Sequence, residues 1–258
     1  MTLTFALNDW VTTFVLVAAR LSGLVVSAPV LSSTLFPRML RVAMVFLFSM
    51  ALMTTVPAVS ASGLVLAIGI IFQMVVGVAI GLILSLYLAI FGMAGQMITY
   101  QLGVGLAVAA DPGLLSAGSF LSEWQTLLAT FIFVAGGGLE LTMTALHASF
   151  IALPLTRELI MGNALMFIVG LFQSALTTAM LIAAPLFLSS LVVDMGIGVV
   201  SRAFPQINAY FLSLPINFGV SILVLLGMIP LLVALIPNVW HSAFYDLSRW
   251  LAIVEGRG

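Results

Sequence analysis

The sequence predicts an all-α integral membrane protein, and three observations carry that expectation. Between Arg41 and Asp111 stand 69 consecutive residues without one Lys, Arg, Asp or Glu. Of the 258 residues, 63% are hydrophobic and only 6% are charged. The mean hydropathy is +1.33. A helix of a water-soluble domain needs a polar face, and none can be drawn over such a run. Lipid, or other apolar helices, is the surrounding these residues require.

A bilayer crossing takes about 20 mostly apolar residues, because roughly 30 Å of hydrocarbon is covered at about 1.5 Å per residue. Six segments meet that need: 10–31, 39–56, 63–91, 124–153, 164–193 and 214–236. The second lies between Pro37 and Pro57, and the third opens at Ser62-Gly63. The fourth stops before Pro154 and the sixth before Pro237. Proline and glycine at these places are the usual punctuation of helix ends. The third, fourth and fifth segments exceed a bilayer crossing, which points to tilt, kinks or protrusion beyond the lipid. After them, Trp240, Phe244, Leu247, Leu251 and Val254 recur at helical spacing, with His241, Asp246 and Arg249 on other faces. That pattern predicts an amphipathic tail helix over 239–254, lying at the interface or against a partner.

Charge and cysteine content narrow the function classes. There are seven Arg, no Lys and eight carboxylates, so no basic patch is present for nucleic acid. Cysteine is absent, which excludes disulfides and thiolate metal sites. Residues 1–19 hold no Lys or Arg, and Arg20 interrupts the first apolar segment. A cleaved leader needs a basic start and an unbroken apolar core, so the N-terminus is expected to be retained. Arg157, Arg249 and Arg257 fall on one side of six spans, and Arg38, Arg41 and Arg202 on the other. This tie leaves orientation undecided by positive charge.

Residues 92–123 form the longest stretch outside the predicted spans, and Asp111-Pro112-Gly113 within it is a strong turn signal. Gly103, Gly105 and Gly118 loosen its flanks. Two readings remain open, a surface loop and a re-entrant or pore-facing segment. Val104, Leu106, Val108, Leu114 and Leu115 favour the second, because on a surface loop they would face water.

In the third segment Gly69, Gln73, Gly77, Gly81, Ser85 and Ala89 recur every fourth residue. They make one flat face for close helix packing, across which Gln73 can hydrogen-bond. Arg20, Glu140, Asp194 and Arg202 lie inside or at the ends of apolar segments. A lone charge at the bilayer centre costs roughly 2.5–3.5 kcal/mol, so each is expected to be buried with a partner, to line a cavity or to reach the interface. For Arg20 the expectation is a structural ion pair, within the chain or across a subunit contact. Glu140, with His147 close to two turns away, is either a satisfied structural carboxylate or a proton-relay group. Hydrolase and phosphate-binding signatures are missing, as are metal-ligand clusters.

Three ordered blocks carry a family resemblance: Arg20-Leu-Ser-Gly-Leu-Val-Val-Ser-Ala-Pro29 with Pro37-Arg38; Gln101-Leu-Gly-Val-Gly leading to Asp111-Pro112; and Ala184-Pro185 through Gly196, Arg202, Pro205-Gln206 and Pro215. In these the chain resembles the FliR family of flagellar type III export-gate proteins, whose injectisome relatives form the SctT group. The resemblance implies a structural, pore-forming subunit with no enzymatic activity and no cofactor, in the bacterial inner membrane at the flagellar basal body. Its implied partners are FliP-like, FliQ-like and FlhB-like membrane chains, lipid, and the unfolded polypeptide that is exported. By the same resemblance, 1–160 is a FliP-like part, 161–238 a FliQ-like part and 239–258 the amphipathic tail. The central loop, about 103–120, is implied to plug the pore with Gly103, Val104, Gly105, Leu106, Asp111, Pro112, Gly113 and Gly118. Pro205 and Gln206 are implied to serve subunit packing, whereas Gln73 stands where many relatives carry a charge. The competing classes are a small-solute transporter or channel, which would place charges and broken helices at a midplane site, and an injectisome gate subunit.

Overall fold

A computed structural model describes residues 2–32, 37–101, 115–155, 161–204, 206 and 208–256. Among them are seven helices: α1 (Thr2–Ser27), α2 (Arg38–Leu52), α3 (Gly63–Gln101), α4 (Leu115–Ala135), α5 (Gly138–Ala152), α6 (Met161–Ala203) and α7 (Ala209–Glu255). The protein is an all-α integral membrane protein, in which four helices are long and apolar enough to cross a bilayer, or five spans if α4 and α5 count as one broken span.

Two of the six predicted spans are altered. The segment 39–56 yields only the 15 residues of α2, about 22 Å of helix and short of a bilayer. Its end is set locally: the Thr54 and Thr55 hydroxyls donate to the carbonyls of Ala51 and Leu52 at 2.8 Å each. Such side-chain bonds compete with the helical ladder, and Pro57 then forbids its resumption. The segment 124–153 is broken at Gly136-Gly137, where Gly137 has φ 76°. That left-handed backbone strongly favours glycine.

Elsewhere the helices run further than their punctuation suggests. α3 continues to Gln101, ten residues past the expected end. Gly92 and Gly95, which read as loop residues, are instead where α3 meets α4. A Cβ on Gly95 would lie 2.5 Å from Ser122 Cα, and the Ser122 hydroxyl donates to the Gly92 carbonyl at 2.9 Å. Likewise the expected loop 103–120 is helical from Leu115, so Gly118 sits within α4. α7 passes through Pro215, Pro230 and Pro237 without ending, so the tail is no separate helix. Each proline deletes one bond of the helical ladder, yet the helix continues past all three. Beyond Pro237 a contact is made by Trp240, whose indole Nε1 donates to the Ala129 carbonyl at 3.2 Å and whose ring lies 4.3 Å from that of Phe133.

By contacts the chain forms two compact units. The first comprises Met1–Leu86, Gly137–Leu171 and His241–Gly258; the second comprises Tyr87–Gly136 and Phe172–Trp240. In the second, Ile98, Leu121, Ala183, Leu186 and Met228 form a core joining α3, α4, α6 and α7. In the first, α1 and α3 meet backbone to backbone. A Cβ on Gly23 would overlap the Met74 carbonyl, one on Gly77 the Arg20 carbonyl, and one on Gly81 the Ser27 hydroxyl. Leu16 lies against Gly69, so contacts advance together along both chains and the helices run parallel. The face predicted from every-fourth spacing thus operates over Gly69, Gln73, Gly77 and Gly81. The Ser85 hydroxyl bonds back to the Leu82 carbonyl of its own helix at 2.9 Å.

Gly77→Ala is expected to destabilise the protein by about 1–3 kcal/mol, because backbone must move to admit the methyl group. Gly170→Ala, where a Cβ meets nothing within 4 Å, is expected to stabilise it by about 0.5–1 kcal/mol. Thermal unfolding of the two variants in detergent checks both signs.

Candidate functional site

Arg20 is the largest fully buried side chain, at 0% exposure, on the face of α1 that also buries Leu16, Val17, Leu21 and Leu24. Its fork is filled by neutral groups. Nε donates to Gln73 Oε1 at 2.7 Å, Nη1 to Ser149 Oγ at 3.0 Å and Nη2 to the Leu153 carbonyl at 2.8 Å. The guanidinium carbon stands 4.2 Å above the centre of the Phe150 ring. Within the chain the expected ion pair is not formed: among the described residues Arg20 has no carboxylate partner.

The physical reason lies at the end of α5. The last four carbonyls of a helix have no partner within it and carry the negative end of its dipole. Leu153 turns out of the helix at φ −126°, ψ 83°, and Pro154 blocks continuation. Arg20 covers the Leu153 carbonyl, and Gln73 Nε2 donates to that of Leu155 at 3.2 Å. Ser149 serves both directions, accepting from Arg20 while its hydroxyl donates to the Leu146 carbonyl at 2.6 Å. A cation is thus spread over a helix terminus, an amide, a hydroxyl and a ring face. This arrangement orients three helices, α1, α3 and α5, about one cation.

The other predicted site residues lie elsewhere. Gly103, Val104, Gly105, Leu106, Asp111, Pro112 and Gly113 fall outside the described residues, as does Pro205. Gln206 occupies an exposed turn. Glu140, Asp194 and Arg202, expected to find a partner, a cavity or the interface, are exposed on this chain. Two of them owe this to their places at helix ends. Glu140 is in the first turn of α5 and Arg202 in the last turn of α6, where the helix dipole favours each sign. Asp194 accepts a hydrogen bond from Asn217 Nδ2 at 2.8 Å. His147 is half-buried, and no hydrogen bond joins it to Glu140 among the described residues. No group of three His, Cys, Asp or Glu side chains able to hold a metal occurs among the described residues.

Ser149, Phe150, Leu153 and Leu155 did not stand out in the sequence. The signal available was Pro154, which announces a helix end and hence carbonyls in need of donors. Gln101, which hydrogen-bonds to Ser190, was singled out only as part of a motif.

Long apolar helices around a charge satisfied wholly inside the chain define a polytopic membrane protein built for helix-to-helix contact. The family model described as "Bacterial export proteins, family 1" matches residues 11–243, and the chain belongs to that family. It is 26% identical over 241 residues to the flagellar biosynthetic protein FliR of Aquifex aeolicus, covering 92% of this chain and 93% of that protein. With FliR of Escherichia coli it shares 22% identity over 245 residues, 93% of each chain. The Yop proteins translocation protein T of Yersinia pestis is 25% identical over 219 residues, 83% of this chain and 84% of its own length.

Gln73→Leu leaves the Arg20 Nε and the Leu155 carbonyl without partners, and is expected to cost about 1.5–3 kcal/mol. Arg20→Lys is expected to lower stability as well, because an ammonium cannot reproduce a planar fork. Unfolding temperatures in detergent, measured beside Ser85→Ala as a control that removes a hydroxyl bond within one helix, check these outcomes.

Proposed function

We propose that the chain is a structural, pore-forming subunit of a type III protein export gate, passing unfolded flagellar subunits across the bacterial inner membrane. The observation that carries this reading is the export-protein family match through residues 11–243. The flagellar branch is favoured by the FliR relatives, one covering 92% of this chain against 83% for the Yersinia translocation protein. Its neighbours in this reading are FliP-like and FliQ-like membrane chains together with an FlhB-like chain. Residues 1–160 act as the FliP-like part and 161–238 as the FliQ-like part.

Two physical features support assembly with other subunits. The most apolar windows of α6 and α7 are only 28% and 22% buried within the chain. Moreover, α3, α6 and α7 run to 39, 43 and 47 residues, where about 20 suffice to span a bilayer. Helices of that length can extend past lipid into a protein assembly. In this reading residues 103–120 close the conduit at rest, an apolar, glycine-jointed segment being suited to excluding ions and yielding to a polypeptide.

Co-expression with FliP-like and FliQ-like chains, followed by mass measurement of the solubilised particle, is expected to yield a single hetero-oligomer. A self-sufficient monomer would overturn the reading and favour a small-solute transporter. Within the assembled gate, deleting residues 104–119 is expected to raise ion conductance across the membrane; unchanged conductance would remove the plug assignment.

A further inference from the structure

Around Asp194 the exposed surface of α6 is apolar, and the next exposed charge on that helix is Arg202, eight residues on. Leu191, Val192, Met195 and Val199 around it are 52%, 67%, 65% and 68% exposed. On α7, Ile216 and Phe218 flank Asn217 and are exposed too. The carboxylate is tied to Asn217 Nδ2 at 2.8 Å. A neutral amide fixes the direction of that side chain but leaves its charge uncompensated. Among the described residues Asp194 forms no ion pair. One helical turn on, Gly198 leaves open space, since a Cβ there would meet nothing within 4 Å. A bare glycine beside a fixed carboxylate makes a notch into which another helix can come close.

Hydrocarbon tails supply neither a donor nor a counter-charge, so a carboxylate held outward among exposed Leu, Val and Met is disfavoured against lipid. A cationic side chain on an otherwise apolar helix answers both needs at once. We propose that this face of α6 and α7 docks an apolar membrane helix of a neighbouring chain, which presents one Arg or Lys to Asp194. The proposal rests on the reading of the chain as an assembly subunit. Apolar contact then supplies area, while the single charge pair fixes the register at which the helices stop sliding.

The test uses the full chain in its native membrane. A photoreactive residue is placed at Met195, and the crosslinked peptide is identified after irradiation. Adducts are expected on a membrane-helix peptide that contains an Arg or Lys, and Asp194→Leu is expected to reduce recovery of the complex about tenfold. Asp194→Asn reads the same loss without a change of shape, and exchanging the two charges between the chains is expected to restore recovery. Adducts with lipid alone, or undiminished recovery of both Asp194 variants, would overturn the proposal. The two readings fail separately. If FliP-like and FliQ-like chains are recovered undiminished with Asp194→Leu, the export-gate reading stands and this one falls. If the basic helix belongs to a chain outside any export assembly, this proposal stands and the export-gate reading falls.

Discussion

Close approach of two backbones is the constraint on which the first unit depends. α1 and α3 meet at Gly23, Gly77 and Gly81, where no side chain fits between them. In water, burial of large apolar side chains would drive such contact, but lipid is as apolar as leucine. Association there depends on dispersion over matched surfaces and on hydrogen bonds between helices. Glycine permits the first by removing Cβ. Arg20 supplies the second, since three of its N–H groups reach α3, α5 and the turn after α5. The two devices act together, because the Arg20 carbonyl is itself the group that Gly77 admits. Widening that gap by a methyl group would also displace the guanidinium.

Charge is handled differently in the two units. Arg20 is sealed inside the first, its demand met by neutral acceptors and by the carbonyl end of α5. Asp194 in the second is held at the surface by a single amide. A satisfied internal charge belongs to the architecture of one chain. An outward, uncompensated one looks to a neighbour.

Much of this was legible in residue order. Membrane class followed from 69 uncharged residues, and a close-packing face on α3 followed from small residues spaced by four, though its partner α1 did not. The partners of Arg20 were not legible, because they arise from helix termination at Pro154, far along the chain, and from backbone carbonyls that carry no residue-type signature. Helix ends were misjudged in both directions, for separable reasons. Pro237 reads as a stop in water, yet α7 continues where Trp240 anchors the next turn. Gly92 and Gly95 read as loop, yet they admit α4 rather than loosening α3. Conversely, Thr54 and Thr55 ended α2 early through bonds that no hydropathy pattern registers.

The partners of Arg20 also set a timetable for biogenesis. Ser149 and Leu153 follow it by 129 and 133 residues, so at about 5–20 residues per second a ribosome delivers them roughly 6–27 s after α1 emerges. For much of that interval the only one of the Arg20 partners already made is Gln73, which follows Arg20 by 53 residues. Until α5 arrives, insertion of α1 bears the cost of a charge that lipid does not solvate.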